Sequence, residues 1–164
     1  MVLVNIISGG GGGFATETVE IRSVPIQIVI DGTRYAPAAV RGIDMENDGD
    51  VETITDQCGR TESERRSDKN WKVIIDGIVT AEEYQTRDSG SFVQNLTLEE
   101  LQNIKNAGSI RLEGEMFDVL NRSSEPLVLD NVVVGQSNDL VSVDVGAGEQ
   151  IAYEFQLQLR QAQP

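Results

Sequence analysis

The residues of this chain that could do chemistry are its carboxylates. There are 27 acids against 13 basic residues, no histidine and one cysteine, Cys58, for a net charge of -14 over 164 residues. Without an imidazole there is no serine triad and no histidine base or metal ligand. One cysteine forms no intrachain disulfide and no thiolate cluster. Among the acids, Asp44-Met45-Glu46-Asn47-Asp48-Gly49-Asp50-Val51-Glu52 places oxygens at alternate positions around a glycine, the pattern of a calcium loop, with Asp44, Asp48, Asp50 and Glu52 as candidate ligands. It departs from that pattern at Glu46 and at the twelfth position, Thr55, where a bidentate glutamate is expected, so a solvated acidic loop is the stronger reading. The adjacent acids Glu82-Glu83, Glu99-Glu100 and Glu113/Glu115 could serve acid and base roles, but in so acidic a chain adjacency carries no information and they read as surface. Gly9 to Gly13 lacks the following lysine and Ser/Thr of a phosphate-cradling loop. The expectation is a protein that is not an enzyme and needs no cofactor.

The same charge excludes partners. A chain this acidic, with 10 Arg and only 3 Lys (Lys69, Lys72, Lys105), repels nucleic acid instead of neutralising phosphates. A carboxylate-rich, lysine-poor surface stays hydrated where salt screens everything else, the signature of a halophilic protein. Arg60, Arg65 and Arg66 form the one basic concentration, interleaved with Glu62, Glu64 and Asp68, and this mixed charge suits a protein contact. The amino-terminal run Met1 to Ile7 has no basic lead, and no stretch approaches the ~20 apolar residues of a membrane span, so a soluble chain without a membrane partner is expected.

The elements that must carry these residues are strands. The apolar content is 18 Val and 14 Ile against 11 Leu and 9 Ala, which favours half-buried pleated surfaces. Ile151 to Arg160 alternates apolar and polar residues throughout, so one face is buried and the other wet. Thr18 to Ile30 reads as extended with an interruption at Pro25, and Asp31-Gly32 as a turn sending the chain back toward Val40 and Ile43 in a long hairpin. Asp44 to Asn70 is polar and reads as a long loop, residues 44–70; Gly9 to Gly13 reads as a flexible segment. Trp71 to Val79 resumes a strand, with Trp71 as a core or interface anchor and Asp76-Gly77 as a further turn. Thr97 and Glu100 form a capping box for one short α-helix over about 97–107, closed by Gly108. Ile110 to Met116, Leu127 to Val134, Val141 to Val145 and the final segment read as further strands. The expected fold is a single domain, mainly β: an antiparallel sandwich or partly open barrel with one helix at its flank.

A long amino-terminal hairpin, an extended polar loop, a Trp-led strand, one short helix and a closing amphipathic strand together resemble the tail tube proteins of tailed, siphovirus-like viruses; the acidity resembles that of a virus of a haloarchaeon. The resemblance implies a virion structural protein whose copies form hexameric rings, each closing a common β-barrel, stacked into the tube that delivers the genome. It implies assembly in the host cytoplasm, a place in the virion tail, and other tail proteins (tape measure, terminator, baseplate) as partners, with DNA passing through unbound. The channel would be lined by Glu113, Glu115, Glu154, Gln156 and Gln158, and the long loop, with Asp44, Asp48, Asp50, Arg60, Arg65 and Arg66, would dock on the neighbouring ring. A related tail terminator, distal tail or neck ring component, and a monomeric halophilic β-sandwich acting as a binding or decoration module, are the alternatives.

Overall fold

In a computed structural model the described residues are 2–10, 13–21, 25–48, 51–55, 61–65, 70–82, 93–122, 126–135, 140–144 and 149–162. The fold is mainly β with two short helices and an open sheet. Its backbone is the final strand. β13 (Glu149–Gln161) pairs along Ala152 to Arg160 with β8 (Asn70–Thr80), and along Glu154 to Gln161 with β11 (Leu127–Gly135). β8 in turn carries β5 (Ala39–Asp48), giving a four-strand order β5-β8-β13-β11. The expected alternation holds: Phe155, Leu157 and Leu159 are buried, whereas Glu154, Gln156 and Gln158 on the other face are only partly covered.

Two single-residue bulges tune this sheet. On β5 the register slips between Val40 and Gly42, and on β11 between Leu129 and Asn131. Each extra residue reverses the inside-outside parity of its strand. Hence Val40 faces the core at an even position and Ile43 and Met45 at odd ones, while Leu127 and Leu129 give way to Val132 and Val134. Asp76-Gly77 does not turn the chain; it lies mid-strand, Gly77 opposite Phe155 on one side and Val40 on the other. A Cβ at Gly77 would stand 2.5 Å from the Ala39 carbonyl oxygen and 2.7 Å from the Phe155 ring, so the glycine is needed for close packing.

A single register pair, Ile110 with Leu127, links β11 to β10 (Ile110–Glu113), which continues through β3 (Gln27–Ile30) and β4 (Thr33–Ala36) to a parallel contact with β9 (Gln94–Asn95). The two portions close over one core in which Ile28, Ile75, Leu112, Phe117, Leu157 and Leu159 are buried. The sheet therefore folds over a core without closing into a barrel. Asp31-Gly32 is a two-residue turn with both φ positive, 49° and 83°, as predicted, but it joins strands of four residues each, because β5 leaves to pair with β8. The long first hairpin is thus corrected to a short one.

Other expectations are corrected in the same way. The amino-terminal residues make their own hairpin, β1 (Val2–Gly10) with β2 (Gly13–Ile21), and Gly9, Gly10 and Gly13 belong to its ladder; Gly11 and Gly12 lie outside the described residues. β1 pairs on to β12 (Leu140–Asp144), which pairs with the start of β13. Part of the polar segment expected as a loop, 44–70, is strand: β5 runs to Asp48, β6 (Val51–Thr55) pairs with β7 (Thr61–Arg65), and β8 starts at Asn70; residues 49–50, 56–60 and 66–69 lie outside the described residues. The β6–β7 pair is a two-stranded sheet of its own, joined by backbone pairing, which does not depend on apolar side chains.

The helix α1 (Leu98–Asn103) starts where expected and ends in a 3-10 turn, Ile104–Asn106, burying Leu101 and Ile104. The Thr97 N–H donates to Glu100 Oε2 at 3.0 Å and the Thr97 hydroxyl to the same carboxylate. A second helix was not foreseen. The strand expected over Ile110 to Met116 stops at Glu113, since Gly114 adopts φ 150°; a 3-10 turn, Glu115–Phe117, and α2 (Asp118–Asn121) follow, burying Phe117 and leaving Met116 exposed.

Candidate functional site

The outer face of β5-β8-β13-β11 carries a repeating pattern of polar side chains. Facing away from the core are Asp44 and Glu46 on β5, Lys72, Ile74 and Asp76 on β8, Gln156, Gln158 and Arg160 on β13, and Val128, Asn131 and Val133 on β11. Amides and acids are linked across it. Gln158 Nε2 donates to Gln156 Oε1 at 2.8 Å, and Gln156 Nε2 to Asp76 Oδ1 at 3.0 Å. The cations are matched: Arg41, set by the β5 bulge, reaches Glu154 at 2.8 Å, Arg160 lies 3.5 Å from Asp130, and Lys72 stands opposite Glu46 in the ladder. Toward the other end Ala39, Ile78, Thr80 and Ala152 are buried, so the face is open mainly over Lys72 to Asp76 and its neighbours. Val128 and Val133 are 45% and 53% exposed at one margin.

Among the described residues, no further strand continues this four-strand sheet along β5 beyond Val40 or along β11 beyond Leu127: β5 pairs only with β8, and β11 there only with β13. An edge strand of this kind presents backbone donors and acceptors to which another strand can add.

The residues expected to line a channel do not all meet. Glu154, Gln156 and Gln158 share the face just described. Glu113 projects from β10, on the opposite side of the shared core, with Val29 and Arg111 as neighbours on its face. There Arg34 Nε donates to Glu113 Oε2 at 2.9 Å and Arg111 to Oε1. The Arg34 hydrogen bond above all, seconded by Arg111 and opposed by partial burial, holds the Glu113 carboxyl below its ordinary value of 4.5. Glu115 sits in the 3-10 turn. Of the proposed docking residues, Asp44 and Asp48 lie on β5 and Arg65 ends β7, while Asp50, Arg60 and Arg66, like Cys58, lie outside the described residues.

Of the candidate calcium ligands, Asp44, Asp48 and Glu52 fall on strands, and Asp50 lies outside the described residues. Asp44 and Asp48 are four residues apart on one extended strand, about 13 Å at the rise of a β-strand, too far to share an ion. Glu52 lies on β6, and among the described residues no group of three or more acids or cysteines is placed to hold a metal. Asn95, the first residue of the glycosylation triplet Asn95-Leu96-Thr97, is buried and donates to Thr80 Oγ1 at 3.0 Å. Sequence reasoning missed the link from Gln156 to Asp76 and the two bulges that set the cations; the parity switches in Ala39 to Met45 and Leu127 to Val134 were the signal for the bulges. In comparisons with known proteins, no family model, no curated protein and no solved structure matches the chain.

Proposed function

We propose that this chain is a structural subunit of a viral tail tube, whose copies join edge to edge into rings and stack around a channel for DNA. The observation that carries the reading is the sheet β5-β8-β13-β11, with one face on the core, the other carrying amides and charges, and, among the described residues, no further strand along β5 beyond Val40 or along β11 beyond Leu127. Two such edges at opposite margins are an aggregation hazard in a single copy, and pairing β5 of one copy with β11 of the next removes both. Such a head-to-tail contact closes into a ring when its rotation allows. Copy after copy would then present Gln156, Gln158, Asp76 and Glu154 to the channel. Among the described residues Arg41 and Arg160 are ion-paired with Glu154 and Asp130 and Lys72 stands opposite Glu46 in the ladder, which weakens the hold of such a wall on phosphates.

The test is electron microscopy and sedimentation of the purified chain at molar salt. Rings or tubes with a central channel are expected; a population that stays at the 17.9 kDa of one copy would overturn the proposal. If the face lines the channel, Gln156→Lys with Gln158→Lys should leave assembly intact and retard DNA passage, whereas Glu113→Lys should not act on passage.

A further inference from the structure

Between the β3–β4 turn and α1 lies a hollow of about 390 Å³ that the open-face reading does not use. Its floor is apolar, from Ile30, Tyr35 and Ile104, all packed on the main core. Its rim carries three acids, Asp31, Glu99 and Glu100. Two of these are held in place by the fold. Asp31 Oδ1 accepts the Gly108 and Ser109 N–H groups, both at 2.8 Å. Glu100 Oε2 accepts the Thr97 N–H at 3.0 Å together with the Thr97 hydroxyl. Each of these carboxylates thus commits one oxygen to its neighbours and keeps the other, Oδ2 or Oε1, without a donor among the described residues.

The surroundings narrow what such a hollow can hold. None of the three acids meets a cation among the described residues, and Lys105, on the same 3-10 turn as Ile104, is exposed and does not line the hollow. Nor do the acids converge as chelating ligands, since among the described residues no group of three or more acids or cysteines is placed to hold a metal ion. The floor instead offers aliphatic surface and the half-buried ring of Tyr35. An aromatic ring beside carboxylates attracts an organic ammonium or guanidinium, and the apolar surface takes up its carbon chain. The volume is that of a small-molecule site, walled by one turn and one short helix, and so is scaled to a free ligand. The net charge of -14 raises the concentration of cations around the whole surface.

We infer that the hollow binds a free small organic cation, an alkylammonium or alkylguanidinium, with its carbon chain on Ile30, Tyr35 and Ile104 and its charged head among Asp31, Glu99 and Glu100. The floor gives the chain a burial that an inorganic cation cannot use, and Asp31 and Glu100 need no ordering on binding because the fold already holds them. The site lies within one copy and does not depend on assembly.

The test is a titration of the full-length, ¹⁵N-labelled chain with n-butylguanidinium chloride at constant ionic strength, read by amide chemical shifts. Saturable shifts are expected at Asp31, Gly32 and from Glu99 to Ser109, with a dissociation constant on the order of 1 mM. n-Butylammonium should bind in the same place, whereas potassium chloride, n-butanol and sodium butyrate at equal concentration should not. Asp31→Asn with Glu99→Gln should weaken binding about tenfold. That pair spares the fold: asparagine keeps an acceptor for the Gly108 and Ser109 N–H groups and tolerates the positive φ of this turn, and Glu99 is exposed. Tyr35→Leu should weaken binding severalfold, and Glu46→Gln, on the open face, should leave it unchanged. Shifts that do not saturate, that spread over the acidic surface, or that potassium chloride or n-butanol reproduces overturn the inference. So does an affinity indifferent to Asp31→Asn with Glu99→Gln.

Discussion

Glu113 shows how one carboxylate among 27 acids becomes particular. Its neighbours come from β4 and from its own strand, and the hydrogen bond from Arg34, then that from Arg111, favours the ionised form. A carboxyl with a lowered folded value adds stability above its unfolded value, and that stability is lost as pH falls through the folded one. The loss therefore belongs below about pH 4.5. Since both arginines are about half exposed, the trio contributes below about 1 kcal/mol. Urea midpoints of Glu113→Gln should fall short of wild type at about pH 7 and converge with it near pH 3; an unchanging gap would show the ion pairs to be irrelevant. Gly77→Ala tests a steric role: with 2.5 Å to a carbonyl oxygen that cannot yield cheaply, thermal or urea unfolding should show a loss of about 2–3 kcal/mol. Neither role was legible in the sequence. An acid's partners depend on which strands become neighbours, and Asp76-Gly77 carries the same dipeptide as the true turn Asp31-Gly32.

At the scale of elements, local signals were readable wherever local chemistry decides. The Thr97/Glu100 capping box starts α1 as expected, and Glu100→Ala should cost about 1 kcal/mol with a matching loss of helical circular dichroism. The alternation of β13 was equally plain, because its two faces see different solvents along its whole length. Segment 44–70 misled for a physical reason: few apolar residues suggested a loop, yet its strands are ordered through backbone pairing. Glu113 to Asp118 misled because alternation continued past Gly114, where positive φ breaks the strand. Met116 on an apparently inward position is exposed for that reason. Of the candidate site, the Glu154, Gln156 and Gln158 face was legible; the arginine that Glu154 holds was hidden behind the slip at Arg41.

For the whole molecule, the decisive quantity is how the two margins of the open sheet behave. Hydrogen exchange should find outward-pointing amides of β5 and of β11 unprotected in isolated copies at low salt and protected after assembly at molar salt. Equal exchange in both states would show that the strands never join. The single-residue slips at Arg41 and Asp130 sit on these two outermost strands, one near each margin. A bulge bends its strand and strengthens local twist. In the proposed ring each subunit would therefore bring a preset angle to both of its joints, so the radius of a closed wall would be written in two inserted residues, and shortening either strand by that residue would alter how many copies complete the circle.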